Sequence, residues 1–311
     1  MKWRLLGAAS VVVALSVPQS LSNPDSNPVL QVGIIQRFGT NPSDEIRLSA
    51  PSGSSLTLTA PDGETIATTS VTIGIYQSAL TPPETIQRLI LSSHRSFESA
   101  EASGQVWSEL GIDTELAQPD EWQVWAHRDY DLAGLAQIYE WAEANERVNV
   151  RWHQETRRYA PLLQWQVGDQ VFRDTQLLIT TTADRTLVND LPYAGTLRLQ
   201  PNAYGNYTLV NTVPIETYLR GVVPHEIGYQ APQAAVEAQA ILARTYALQN
   251  RHRFAIDNYE LCADTQCQVY KGLDGTAWMA DQAIATTAGQ VLTYEGQLAD
   301  AVYSSTTGGI T

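Results

Sequence analysis

The apolar residues of this chain change period along its length, and that change bounds what it can fold into. Leu56-Thr57-Leu58-Thr59 alternates with a period of two, as does the neighbourhood of Val32 and Ile34, while Gly53, Pro61, Asp62 and Gly63 supply turns. Strand patterns return at 148–152, 163–167, 177–181, 196–199 and 207–210, with Gly205-Asn206 fitting a tight turn. Helical spacing interrupts them. Phe97, Ala100, Gly104, Trp107 and Leu110 recur at that spacing before a Gly111 stop, Leu132, Leu135, Ile138 and Ala142 predict a helix within 131–147, and Pro232 opens an alanine-rich helix to about Asn250. Short strands in runs, with helices scattered among them, predict an α+β chain: a mostly antiparallel β framework with a few packed helices and a small inserted α+β unit.

At 311 residues the chain has room for two or three units of common domain size. Its net charge of −14 and its two lysines, Lys2 and Lys271, argue against nucleic acid, because phosphate binding needs clustered cations. Arg151, Arg157 and Arg158 form a small cluster that reads as a solvated face. The N-terminus carries a targeting pattern: basic Lys2 and Arg4, an apolar run over 5–17, Pro18, and a small-residue site at Ser20-Leu21-Ser22. Residues 1–22 are therefore expected to be a signal peptide, and the mature protein to be exported to the periplasm or cell envelope. Cys262 and Cys267 are the two cysteines, and in an exported chain they read as a local disulfide, a thiolate pair for zinc, or free thiols.

Pro82 and Pro83 are expected to mark a boundary between an N-terminal β segment, 29–80, and a strand–helix–strand unit over 84–128. With Phe97-Glu98-Ser99-Ala100 opening its helix, that unit resembles the sporulation-related repeat, a small peptidoglycan-binding module.

The most specific stretch begins at Val213. Val213-Pro-Ile-Glu-Thr-Tyr-Leu-Arg-Gly221 reads as a short helix with Pro214 in its first turn and Gly221 as its stop, followed by Val222-Val223-Pro224-His225-Glu226. On the alanine-rich helix, Gln239, Ala243 and Tyr246 share one stripe, so Gln239 and Tyr246 can line one cleft. This block resembles the family of stage II sporulation protein D and the amidase-enhancer protein, as do 237–247, Cys267-Gln268-Val269-Tyr270-Lys271-Gly272, 287–292 and Tyr303-Ser304-Ser305-Thr306-Thr307-Gly308-Gly309. Leu30-Gln31-Val32-Gly33-Ile34 also resembles the opening of family members, so the catalytic module, placed at 143–311, can extend back to it.

The resemblance implies a peptidoglycan lytic transglycosylase, which breaks the β-1,4 bond after N-acetylmuramic acid and leaves a 1,6-anhydro end. Its catalytic glutamate falls on Glu226, and Arg244, Tyr246, Gln239, Gln268, Tyr270, Ser304 and Ser305 are placed along the substrate cleft. Ordinary glycosidases need two carboxylates, but here the sugar's own C6 hydroxyl replaces water, so one carboxyl can serve as acid and then base. Such a group must hold its proton at working pH, which apolar neighbours such as Val222, Val223, Pro224 and Ile227 favour. The amidase-enhancer branch implies an alternative, a non-catalytic wall-binding protein that stimulates a separate amidase. Some family members hold zinc through Cys and His near Cys262 and Cys267, and His252 is the histidine nearest in sequence. Family modules continue past the block that ends here at Thr311, so the module is expected to lack its C-terminal end.

Overall fold

The computed structural model describes residues 27–228 and 231–303, and the statements of structure below concern these residues. The expected signal peptide lies outside them. The first strands are β1 (Val29–Phe38), β2 (Ile46–Ser49), β3 (Leu56–Thr59) and β4 (Thr65–Thr68). A 25-residue strand, β5 (Ser70–His94), follows. Then come α1 (Phe97–Glu109), β6 (Thr114–Ala117), β7 (Trp122–Ala126), α2 (Leu132–Ala144) and the 17-residue β8 (Arg151–Val167). Short strands return as β9 (Gln170–Asp174), β10 (Leu177–Thr181), β11 (Arg185–Val188), β12 (Leu191–Ala194), β13 (Thr196–Pro201) and β14 (Tyr207–Pro214). The C-terminal third holds α3 (Ile215–Arg220), α4 (Val223–Ile227), α5 (Gln233–Gln249), β15 (Leu261–Cys262) and α6 (Trp278–Thr286). The fold is α+β, with antiparallel pairing throughout its two large sheets except where β15 runs parallel to β1.

The first sheet has the order β15-β1-β14-β13-β10-β3-β4. Its inward residues follow the period-two pattern: Leu56 and Leu58, Leu177 and Ile179, and Leu197 and Leu199 are all buried. The N-terminal strand β1 lies between β14 and β15, so residues at the two ends of the chain share one core.

The second sheet is organised by β5, which pairs with β2 at its start, β7 at its end and β8 along its length. The prolines expected to mark a boundary do not interrupt this strand. They sit where the β5–β8 register shifts between Ala79 and Glu84, and a residue off the ladder needs no backbone N–H.

The strand–helix–strand unit expected at 84–128 is half of a larger arrangement. The end of β5, α1, β6, β7, α2 and the start of β8 follow one another as β-α-β-β-α-β, with strand order β6-β7-β5-β8. This is the split, ferredoxin-like topology. Asp131 caps α2 by accepting from the Gly134 amide at 2.7 Å, and Ser96 caps α1 in the same way through Ser99. One face of this small sheet, through Trp122, Val124, Leu89 and Leu91, joins Phe97, Ala100 and Trp107 of α1 in the main core. The other face carries Ile90, Ala117 and Trp125, and it packs on Ile256, Ala203 and Tyr204. Trp125 meets the Tyr204 ring edge-on at 6.0 Å, and the Arg88 guanidinium lies over Trp125 at 4.7 Å. The helix-free face of the small sheet is therefore covered by the C-terminal third.

Trp125→Ala should open a cavity at this junction and lower unfolding free energy by about 3–5 kcal/mol in chemical denaturation. A loss below about 1 kcal/mol would mean that this face is not part of the core.

Candidate active site

Glu226 sits on α4, a five-residue helix whose position is dictated by its surroundings. Strand β14 runs directly into α3, and α3 turns into α4 through Gly221 and Val222. Gly221, expected only as a helix stop, is also a point of close approach: a Cβ there would stand 2.0 Å from the Gly272 carbonyl oxygen and 2.8 Å from the Tyr270 ring. The contact brings the segment after β15 against the α3–α4 turn. From that segment the Val269 amide donates to Glu226 Oε1 at 2.9 Å.

Four side chains, Tyr218, Gln268, Tyr303 and Gln239, complete a polar cluster next to Glu226. Tyr218 Oη donates to Gln268 Oε1 at 3.1 Å, which fixes the amide so that Gln268 Nε2 donates to the Ala243 carbonyl at 3.4 Å and to Tyr303 Oη at 2.9 Å. Gln239 Nε2 donates to the same hydroxyl at 2.9 Å. Tyr303 thus accepts twice, and its own proton is uncommitted among the described residues. Burial pushes the Tyr303 hydroxyl up to about 12, and the nearby Glu226 charge adds to this, so it stays a neutral donor at physiological pH. Tyr246 meets the Tyr303 ring edge-on at 5.3 Å, and burial raises its hydroxyl to about 12 as well.

The structure brings together Glu226, Gln239, Tyr246 and Gln268 from the expected set. It places two others elsewhere. Arg244 is 1% exposed, with Nε and Nη2 bonded to the Glu216 carboxylate at 2.9 and 2.7 Å and Nη1 to the Gln290 carbonyl at 3.0 Å. A guanidinium so committed joins α3 to α5 from within the core. Tyr270 is 2% exposed, donates to Asn211 Oδ1 at 2.8 Å and packs on the Tyr218 ring at 4.7 Å. Ser304 and Ser305 lie outside the described residues. The reading of the residues gave Tyr303 no role of its own, although it opens one of the quoted blocks. It also passed over Trp278, a 73% exposed aromatic on the rim of an apolar hollow of about 210 Å³ beside α4. His225, next to Glu226, contacts the Asp274 carbonyl through Nε2 at 3.1 Å.

Cys262 and Cys267 form a disulfide with a Cα–Cα separation of 5.6 Å. Both sulfurs are consumed in that bond, and His252 is held by Glu101 at 2.6 Å, so these residues as arranged do not fit a zinc site. The disulfide closes the 262–267 loop that immediately precedes Gln268 and Val269. Further grips come from the small unit: Glu98 of α1 pairs with Arg253, whose Nη1 donates to the Gln266 carbonyl at 3.1 Å, and the Gln118 amide bonds the Gln266 side chain. The Arg253 guanidinium lies over the Phe97 ring at 4.5 Å.

Comparison with known proteins meets this geometry at the same residues. The family model described as stage II sporulation protein matches residues 203–294, which include Glu226, Gln239, Tyr246 and Gln268. Residues 203–294 are similar to the SpoIID family. Stage II sporulation protein D of Bacillus subtilis is 31% identical over 155 residues, covering 42% of this chain and 44% of that protein. The amidase enhancer of the same organism is 36% identical over 93 residues, 30% of this chain and 12% of that protein. An uncharacterized protein of Brachyspira hyodysenteriae is 33% identical over 141 residues, 43% of this chain and 36% of that protein. The chain thus spans less than half the length of each of these relatives. Tyr303 falls beyond the matched SpoIID residues, as do Glu98 and Gln118, which grip that module from the small unit.

Arg244→Met should leave Glu216 without its cation and cost about 3 kcal/mol of stability or more, read by denaturant titration. A fully stable Arg244→Met protein with weakened substrate binding would instead return Arg244 to the cleft. Reducing the disulfide, or replacing both cysteines by serine, should cost about 2 kcal/mol given the short loop it closes. Thermal melts with and without reductant check this.

Proposed function

We propose that this protein cleaves the glycan strands of peptidoglycan as a lytic transglycosylase, with Glu226 as its single acid and base. The observation that carries the reading is a carboxylate seated, among the described residues, beside neutral donors and acceptors. Glu226 is positioned by a backbone amide, beside Tyr218, Gln268 and Tyr303. Neighbouring carboxylates are engaged elsewhere: Glu216 with Arg244, Asp281 with Arg220, Glu98 with Arg253, and Glu237 with Gln233 and Thr286. A hydrolase acting through two carboxylates needs a second one facing the bond, whereas a transglycosylase does not.

In this reading Glu226 gives its proton to the glycosidic oxygen as the bond from C1 of the muramyl residue breaks. The C6 hydroxyl of that residue then attacks C1 and returns its proton to the same carboxylate, closing the 1,6-anhydro ring. The geometry of the ring supplies the proximity that a water molecule would lack. Tyr303, whose hydroxyl proton is uncommitted among the described residues, and Gln239 are suited to hold sugar hydroxyls or an N-acetyl oxygen, and the exposed ring of Trp278 offers a face for a sugar. The family and the printed names of its relatives support a role in the cell wall. Export to the envelope fits that role, and no helix among the described residues is long and apolar enough to cross a membrane. The name of the amidase enhancer supports a second reading, in which the same groove binds glycan for a separate amidase without cutting it.

Mass spectrometry of purified peptidoglycan and of peptide-stripped strands, after incubation with the protein or its Glu226→Gln variant, separates these readings. Anhydro-muramic ends from the wild type, falling by about a thousandfold or more in the variant, are the expected result. Reducing ends would indicate hydrolysis, and strand binding without any product would favour the enhancer reading.

A further inference from the structure

A groove of about 190 Å³ lies between the start of α1 and the segment that follows β15. One side is formed by Arg95, Phe97 and Glu98 of the small unit, and the other by Tyr246, Gln266 and Tyr303. Tyr246 and Tyr303 also belong to the cluster at Glu226, so the groove shares two side chains with the candidate active site. Its floor is fixed: Arg253 is held between the Phe97 and Tyr246 rings and bonded to Asn250, Gln266 and Glu98. The charge of Glu98 is thereby neutralised. Arg95 is different. It is exposed, lines the groove, and makes no hydrogen bond or ion pair among the described residues. In a chain of net charge −14, a cation with no ion-pair partner among the described residues at the edge of a groove is placed to meet an anion from outside.

We propose that Arg95 and this groove form a subsite for a carboxylate carried by the glycan strand, next to the sugar held at Glu226. The small unit then takes part in substrate binding through its edge, since its helix-free sheet face is covered. The proposal rests on the glycan reading above. The carboxylate has two possible sources, the lactyl group of a peptide-stripped muramyl residue and the stem peptide of an unstripped one. In both, a guanidinium donates to the planar anion in the same way.

The test measures strand binding by the non-cutting Glu226→Gln protein with and without Arg95→Ala, on peptide-stripped strands, peptide-bearing strands, and each after amidation of its carboxyl groups. Arg95→Ala should weaken binding to carboxylate-bearing strands by about fivefold, as expected for one partly exposed ion pair, and Arg95→Lys should recover part of the loss. The effect should vanish on amidated strands. A loss confined to stripped strands assigns the lactyl carboxylate, and one confined to peptide-bearing strands assigns the peptide. An equal loss on amidated strands, or no loss on strands that the Glu226→Gln protein binds, overturns the subsite while leaving the glycan reading in place. Failure of that protein to bind any strand overturns both.

Discussion

The site depends on one hydrogen bond, from the Val269 amide to Glu226. Helix α4 is too short to hold its own geometry, so the carboxylate stands where the neighbouring segments put it. On one side, α3 and α5 are locked by the buried Arg244–Glu216 pair. On the other, the loop just before Val269 is closed by the Cys262–Cys267 disulfide and attached to the first sheet, where Cys262 pairs with Gly33. The Gly221–Gly272 approach leaves no room for a side chain between the two halves. Removing any of these restraints acts on Glu226 through position rather than through its chemistry.

The long β5–β8 ribbon has a comparable effect at larger scale. It carries the main sheet into the small β-α-β-β-α-β unit without a linker, so the two share strands and one continuous core. The small unit then returns to the C-terminal third twice: through Trp125 on Tyr204 and Ile256, and through Glu98 and Gln118 on Arg253 and Gln266. A unit attached this way is a wall of the site. Its resemblance to a free-standing wall-binding repeat does not carry over to its sheet face, which is already occupied.

Much of this was legible in the chain because local period reports which side of an element is buried. The alternation at Leu56–Thr59, the helical spacing from Phe97 to Trp107 and the alanine-rich stretch after Pro232 each became the element their pattern implied. The prolines at 82 and 83 misled for a physical reason: a register shift in a two-stranded ribbon accommodates residues that a central strand cannot. Arg244 and Tyr270 misled in another way. Arginine and tyrosine serve ion pairs and aromatic cores as readily as substrate clefts, and sequence spacing does not distinguish the two.

By itself the sequence determined the fold class, several of its strands and helices and the stretch that carries Glu226, because these follow from residue type and short-range spacing. The tertiary structure alone decided which polar side chains meet. Tyr303 reaches Gln239 and Gln268 across 64 and 35 residues, Arg253 reaches Glu98 across 155, and Val269 reaches Glu226 across 43. Partners at such separations are chosen by how sheets and helices pack, and hydrophobic period, which records only the inward face of each element, holds no information about them.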